Sequence, residues 1–384
     1  MWFTSWLRNL RSAGNRRRSE RPRPAPRCRP RLEALEDRLT PSTVSPQAVV
    51  SSPPSDLETA TVPSESRQRL SQTYLALGDS IAFGETNFFP KSFGDQGYVK
   101  GYADWLATQD DGARPQVINL AIIGETSATY FDATAPGIAP HAAAAAFNLN
   151  YTNPMLSQEL MLRATIASEK AAGHIITHVS FALGINDFAY LQQTHPELLT
   201  LPPAQQQALV GATFASVASN DIKAVAEIRE LLPHAQLLLL DYFNALGVLG
   251  PQNPVNQVEI PIFQHFEQFV QAEAVLFHGT FVDIYQPFVG HEADYTFILT
   301  GNTHPNDLGY SVIAQQMIQA SSEHEGSGED RGNALEFIAT HLGTDTRTDL
   351  PGERWDEHQL PALFYDSDLF GGSDLELGNV KIRR

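Results

Sequence analysis

The feature that most constrains this chain is a regular alternation of short apolar runs with longer helix-like stretches, which begins at Thr73. The apolar runs predict five buried strands, at Thr73–Leu77, Val117–Ile122, Ile175–Leu183, Gln236–Tyr242 and Thr280–Ile284. The intervening stretches predict helices at Tyr98–Gln109, Ser157–Ala172, Pro203–Leu232, Ile262–Leu276 and Asp307–Ser321. Strands that alternate with helices need crossover connections, and such connections produce a parallel sheet. The sequence therefore predicts a three-layer α/β/α fold with a five-stranded parallel sheet, whose sites lie beyond the carboxyl ends of the strands.

The segments on either side of this alternation differ from it in composition, so we expect three regions in the chain. Residues 1–70 are rich in Arg, Pro, Ser and Thr and contain little apolar surface, which predicts a disordered basic leader. Residues 71–322 hold the α/β domain. Residues 323–384 are acidic and rich in Gly and Asp, and they predict a poorly ordered tail.

The distribution of charge and of apolar residues restricts the partners of the protein. Residues 1–38 contain 11 arginines and 4 acidic groups, and the rest of the chain has 15 basic and 40 acidic groups, a net charge of −25. A surface of this charge repels polyanions, so we expect no nucleic-acid partner. The sequence contains no run of 18 apolar residues, which predicts no transmembrane segment. These features leave the oligomeric state open.

The N-terminal segment gives an indication of location. It lacks the apolar stretch of about 7–15 residues that a standard signal peptide needs. However, Arg31–Ser42 resembles a short motif near the N-terminus of many planctomycete exported proteins. This resemblance implies an exported or cell-surface protein. The single cysteine, Cys28, excludes an intramolecular disulfide.

Small polar signatures follow the first three predicted strands, and a fourth precedes the last predicted helix. They are Gly78-Asp79-Ser80, Gly124, Gly184-Ile185-Asn186-Asp187 and His304-Pro305-Asn306. All of them map to the carboxyl edge of a parallel sheet, so we expect their side chains to lie close together.

These residue types fit acyl transfer through a serine nucleophile. A serine hydroxyl needs a base within hydrogen-bond reach, and histidine is suited to this because its pKa lies near neutral pH. Ser80 and His304 are therefore the candidate nucleophile and base. The oxyanion of the tetrahedral intermediate also needs preorganised donors. The backbone N–H groups of Ser80 and Gly124 and the side-chain amide of Asn186 are the candidates for this oxyanion hole.

The other polar residues beside these signatures are expected to be structural. Asp79 and Asp187 are predicted to hold the turns that carry Ser80 and Asn186, since one nucleophile is sufficient. The remaining histidines form no HExxH motif. We therefore expect neither a metal site nor a cofactor.

The four signatures together resemble those of the SGNH (GDSL) hydrolase family. Residues Tyr74–Gly84 are similar to the first signature of bacterial members, and the other three follow in the family's order and approximate spacing. The resemblance covers about residues 73–320. It implies a flavodoxin-like sheet, ester or acyl substrates, no metal, and the same roles for the four signature residues.

The chain departs from the family pattern beside the histidine. Family members usually have an aspartate three residues before it, which orients the imidazole, and here that position is Gly301. Asn302, Asp294 and Asp307 are candidates for a substitute. A dyad in which a backbone carbonyl steers the ring is the other alternative.

The sequence thus predicts a serine hydrolase that cleaves a carboxylic ester, of a small molecule or a polymer, through an acyl-Ser80 intermediate. A carbohydrate O-deacetylase of the same fold and a non-catalytic surface-binding module are the alternatives. Gly301, in place of the usual aspartate, is the only feature that supports the binding module. Two segments are candidates for substrate walls. Asp132–Asn153 is either an acyl-binding flap or a surface helix, and Ala245–Phe263 is a lid in which three prolines favour a loop over a helix.

Overall fold

A computed structural model describes residues 71–324 except 88, 89, 110 and 111. The predicted leader lies outside the described residues, as does the predicted tail beyond residue 324. One sheet contains the strands β1 (Gln72–Gly78), β2 (Gln116–Asn119), β3 (Ile175–Ala182), β4 (Gln236–Leu240) and β5 (Thr280–Val282). Every neighbouring pair is parallel, and the strand order is β2-β1-β3-β4-β5. The predicted fold class is therefore confirmed.

Helices lie in the connections between the strands and after β5, the last strand described. They are α1 (Ser80–Phe83), α2 (Gly97–Gln109), α3 (His141–Ala145), α4 (Gln158–Ala172), α5 (Ile185–Thr194), α6 (Pro203–Leu231), α7 (Pro254–Leu276), α8 (Glu292–Tyr295) and α9 (Asp307–His324). Short 3-10 helices cover Leu198–Thr200, Ala245–Leu249, Gln286–Phe288 and Ile298–Thr300. Of the described helices, none has the length and hydrophobicity that a membrane crossing requires.

The position of β1 in the sheet explains where a site can form. Tyr74–Leu77 is completely buried, as expected for a parallel strand that is covered by helices on both faces. The chain leaves β1 towards β2 on one side, while β3 lies on the other side and pairs Ala182 with Gly78. Such a reversal of strand order opens a crevice at the carboxyl ends of the two strands. Ser80 and Asn186 both follow these ends within a few residues.

The prediction of a loop across Ala245–Phe263 is wrong for the second half of that segment. Helix α7 begins at Pro254, directly after Asn253, whose side chain caps it. Proline is tolerated at the first helical position because its missing N–H would have had no intrahelical acceptor. Pro261 lies inside α7 without ending it. The apolar face of α7, which includes the fully buried Phe266, packs against the core and stabilises the helix across this proline.

The segment Asp132–Asn153 consists mainly of turns, and helix α3 is the short helical part of it. Its end is fastened to the chain that leaves β2. The side-chain amide of Asn148 donates to the backbone oxygens of Asn119 and Ala121, at 2.9 Å each. The hydroxyl of Tyr151 donates to the backbone oxygen of Leu120 at 2.8 Å. These bonds tie the segment to the strand end from which residues 120–124 approach the site.

Two carboxyls are buried together on helices α6 and α7. Burial raises the pKa of Glu273 to about 8, and it also raises the pKa of Asp221, which the neighbouring Glu273 raises further. Among the described residues, Asp221 Oδ1 and Glu273 Oε1 have no hydrogen-bond partner. Glu273 therefore keeps its proton in the folded protein at neutral pH.

We expect the stability of Glu273→Gln, measured relative to the wild type, to be greater at pH 8 than at pH 5. The wild-type folded state holds the Glu273 proton up to about pH 8, whereas the unfolded chain releases it near pH 4.3. Wild-type stability thus falls as pH rises through this window, and the variant lacks this loss. Thermal unfolding at both pH values measures the effect. In a domain of this size, each kcal/mol of unfolding free energy shifts Tm by about 2–4 °C. The exposed Glu230→Gln is the control, and an equal response of both variants would contradict the expectation.

Candidate active site

Ser80 is held at the end of β1 by the residues that precede it. Gly78 has a φ of 132°, and a Cβ atom there would lie 2.3 Å from the backbone oxygen of Ala182. Only glycine allows β1 and β3 to approach so closely at this point. The side chain of Gln158 clamps Gly78 from α4, because it accepts from the Gly78 N–H at 2.7 Å and donates to the Gly78 oxygen at 2.9 Å. Asp79 caps α1 by accepting from the Ile81 N–H at 2.9 Å, and Ser80 is then the first residue of this helix.

His304 lies on a loop between β5 and α9, and hydrogen bonds within the backbone of this loop hold it in place. The Phe297 N–H donates to the His304 backbone oxygen at 3.0 Å. Asn306 then caps α9, since its side chain accepts from the Gly309 N–H at 3.0 Å. Helix α9 is in turn anchored beside α1, where the Tyr310 hydroxyl donates to the backbone oxygen of Glu85 at 2.6 Å. The predicted start of the last helix is therefore confirmed, and this start brings the histidine to Ser80.

The two candidate catalytic side chains are in contact. Ser80 Oγ lies 2.9 Å from His304 Nε2. On the other side of the ring, His304 Nδ1 lies 2.6 Å from Asn302 Oδ1, which also accepts from the His304 backbone N–H at 2.9 Å. An oxygen that accepts both bonds requires the ring proton on Nδ1, so Nε2 has a lone pair directed at the serine hydroxyl. Burial lowers the pKa of His304 to about 4, which keeps the ring neutral.

Of the three residues that the sequence offers as an orienting partner, Asn302 is the one that contacts the ring. Its amide nitrogen donates to Asn87 Oδ1 at 3.0 Å. The His304 backbone N–H can only donate, so its bond fixes the amide oxygen towards the ring. Asp294 is exposed and lies 3.7 Å from His291 Nδ1, whereas Asp307 is exposed at the start of α9. The ring therefore has a neutral amide at Nδ1 where a carboxylate is usual in catalytic triads.

Gly124 lies in a turn that continues from β2 beside the end of β1. The Ile122 N–H donates to the Gly78 oxygen at 3.1 Å. This bond continues the pairing of β1 and β2 beyond the end of β2. Gly124 has a φ of 74°, and a Cβ atom there would come no nearer than 3.9 Å to Ile138. The backbone conformation therefore favours glycine here, and the space beside it is open.

Asn186 joins the three segments of the candidate oxyanion hole. Its side-chain nitrogen donates to the backbone oxygen of Glu125 at 2.9 Å and to Asp79 Oδ2 at 3.3 Å. Asp79 Oδ2 also accepts from the Tyr242 hydroxyl at 2.8 Å. Burial raises the pKa of Asp79 to about 7, and the hydrogen bonds from Ile81 and Tyr242 lower it. Asp79 therefore holds the turn and the amide together, and it does not contact the histidine ring.

Asp187 holds the segment that follows Gly124. Its two carboxyl oxygens accept from the Ser127 N–H and the Ser127 hydroxyl, at 2.8 Å each. The Asn220 amide also donates to the Ser127 hydroxyl, at 3.0 Å. Burial raises the pKa of Asp187 to about 6, against these hydrogen bonds, which lower it. The turn at Gly124 is thus fixed to helix α5, which carries Asn186.

A comparison with protein-family models gives a match that spans all of these segments. The GDSL-like lipase/acylhydrolase family matches residues 76–312. The chain belongs to this family. Membership of the GDSL-like family makes the protein an ester hydrolase at the general level. No curated protein sequence gives a significant match.

Solved structures similar to this GDSL-like protein include a lipase and an esterase. A lipase from a goat rumen metagenome is 17% identical, with a TM-score of 0.45 and coverage of 65% of this chain and 97% of that chain. An acetylxylan esterase from Geobacillus stearothermophilus is 18% identical, with a TM-score of 0.40 and coverage of 65% of this chain and 94% of that chain.

Two buried groups beside the signatures of this GDSL-like chain were not predicted from the sequence. Glu85 Oε2 lies 3.4 Å from His304 Nε2. Glu125 Oε2 lies 3.4 Å from His141 Nδ1, in a buried pair that joins the Gly124 turn to helix α3. The available signal was position alone, because each glutamate directly follows a glycine of a signature.

We expect Asp187→Ala to loosen the Gly124 turn. The variant leaves the buried Ser127 N–H without its acceptor, which costs about 1–3 kcal/mol of unfolding free energy. Denaturant unfolding measures the global loss, and amide hydrogen exchange at residues 124–130 measures the local one. Unchanged exchange of the Ser127 amide would show that Asp187 does not hold this segment.

Proposed function

We propose that the protein is a serine esterase that hydrolyses a carboxylic ester through an acyl-Ser80 intermediate, with His304 as the general base. The observation that carries this proposal is the 2.9 Å contact between Ser80 Oγ and His304 Nε2, which joins residues 224 positions apart. A serine hydroxyl becomes an effective nucleophile when a base within hydrogen-bond reach can take its proton. The neutral ring with its free Nε2 lone pair meets this requirement.

The reaction begins with attack of Ser80 Oγ on the ester carbonyl carbon. The O–H bond of the serine breaks, and its proton moves to His304 Nε2. The tetrahedral intermediate then collapses, the C–O bond to the alcohol breaks, and the proton on Nε2 passes to the leaving oxygen. A water molecule attacks the acyl-enzyme in the second half of the cycle, with His304 again taking and returning one proton.

The oxyanion is stabilised by donors from the ends of β1, β2 and β3. Ser80 is the first residue of α1, so its N–H is one of the donors that a helix leaves without an intrahelical acceptor. The Gly124 N–H lies on an open turn. Asn186 donates to the Glu125 backbone oxygen at 2.9 Å and makes a longer contact with Asp79 at 3.3 Å. Donation from Asn186 to the oxyanion replaces this longer contact.

Asn302 sets the tautomer of the base. By accepting from Nδ1, it keeps the ring proton away from the serine. In a Ser-His-Asp triad, the aspartate both orients the ring and stabilises the imidazolium that forms. A neutral amide performs the first of these tasks without supplying the negative charge for the second.

Replacement of the nucleophile tests the proposal. We expect Ser80→Ala to lower turnover of p-nitrophenyl acetate to the background rate, since loss of the serine of such a triad costs about 10⁶-fold in kcat. Steady-state kinetics measures the loss, and circular dichroism checks that the fold persists. Ser311→Ala, which changes an exposed serine on α9, is the control with full activity. Normal turnover by Ser80→Ala would contradict the proposal, because a group other than Ser80 would then perform the attack.

Removal of the side-chain oxyanion donor gives a separate prediction. We expect Asn186→Ala to lower kcat by about 10²–10³-fold, because the bond to the oxyanion exists only in the transition state. KM should change little, since uniform binding of the substrate is unaffected. A variant that raises KM at constant kcat would place Asn186 in substrate binding instead.

A further inference from the structure

Glu85 is a buried carboxyl beside the site that the reaction described above does not use. It follows Gly84, the C-cap of α1, and it is 6% exposed. Among the described residues, its Oε2 atom has no hydrogen-bond partner. A buried carboxyl oxygen without a partner is costly, so its retention calls for an explanation.

This oxygen faces the reacting edge of the imidazole. Glu85 Oε2 lies 3.4 Å from His304 Nε2, the same atom that contacts the Ser80 hydroxyl. The opposite edge of the ring, at Nδ1, meets the uncharged amide of Asn302. When Nε2 receives the serine proton, the carboxyl group in contact with the resulting cation is therefore that of Glu85.

We propose that Glu85 supplies the counter-charge to the His304 imidazolium from the serine side of the ring, so that orientation and charge compensation are divided between two residues. The inference rests on the proposed function. One proton moves in the step: it leaves Ser80 Oγ, forms the N–H bond at Nε2 and later passes to the leaving alcohol. In the ionised form of the site, Glu85 remains a carboxylate through this step and lowers the energy of the protonated ring by its charge.

The charged and titratable groups around Glu85 come from three other segments. Asp79 at the end of β1 and His304 on the loop before α9 are the ionisable neighbours, and Tyr310 of α9 donates to the Glu85 backbone oxygen. Burial raises the pKa of Glu85 to about 8, and the carboxyl of Asp79 raises it as well. At neutral pH the resting site therefore holds a protonated Glu85 beside a neutral ring. Loss of this proton as pH rises towards about 8 leaves a carboxylate beside Nε2, which makes His304 a stronger base.

The pH profile of a neutral variant tests this assignment. Glu85→Gln keeps the shape of the side chain and the backbone oxygen that accepts from Tyr310. We expect kcat/KM on p-nitrophenyl acetate to fall by about 10–100-fold at its plateau. The rise of the wild-type rate towards pH 8 should disappear, and the variant's profile should be flat from about pH 5 to 9, because His304 then titrates near its own pKa of about 4. Glu85→Met is a second neutral variant of similar length.

A double-mutant cycle separates charge from packing. Asn302→Asp introduces a carboxylate at Nδ1, and in that background we expect Glu85→Gln to cost less than about 3-fold. A purely structural Glu85 would give the same loss in both backgrounds and an unshifted profile, and this result would overturn the inference. Retained activity of Ser80→Ala would instead overturn the proposed function itself. The inference alone fails if Ser80→Ala is inactive while the Glu85→Gln profile matches that of the wild type.

Discussion

The site depends on one contact between two distant parts of the chain, in which Ser80 Oγ and His304 Nε2 are 2.9 Å apart. The serine is fixed by the start of the sheet, at a glycine that lets β1 and β3 approach closely. The histidine is fixed by helix α9, which packs beside α1 through the bond from Tyr310 to the Glu85 backbone oxygen. Because both anchors meet at the residues around α1, the first and last elements of the described domain must fold together before the base can reach the nucleophile.

Negative charge near this contact is controlled by burial. Asp79 and Asp187 hold the turns by accepting hydrogen bonds, and neither contacts the histidine ring. Burial raises the pKa of both carboxyls, so they add less charge around the ring than free carboxylates would. Glu85 differs from them because its free oxygen faces Nε2. Two of these carboxyls thus hold the scaffold and one faces the base. Under the proposed role of Glu85, this division explains how the ring can function with an uncharged amide at Nδ1.

The sequence predicted those features that depend on local pattern or on chain order. The strands were predictable because continuous apolar runs are typical of strands buried on both faces, and the family was predictable from signatures in the right order. The start of α7 was missed because Pro254 was interpreted as a breaker, although its position directly after a capping asparagine permits a helix. Asn302 could not be chosen over Asp294 and Asp307, because the choice depends on the path of the loop around His304. Glu85 was missed because its direction depends on the left-handed turn that ends α1.

Covalent labelling of the active serine tests the central contact most directly. A fluorophosphonate reacts with a serine whose proton a neighbouring base can remove, and digestion followed by mass spectrometry locates the adduct. We expect one adduct, on the peptide that contains Ser80, at a rate that falls by at least about 10³-fold in His304→Ala. An adduct on another serine, or the same labelling rate without the imidazole, would show that the contact between Ser80 and His304 does not activate the serine.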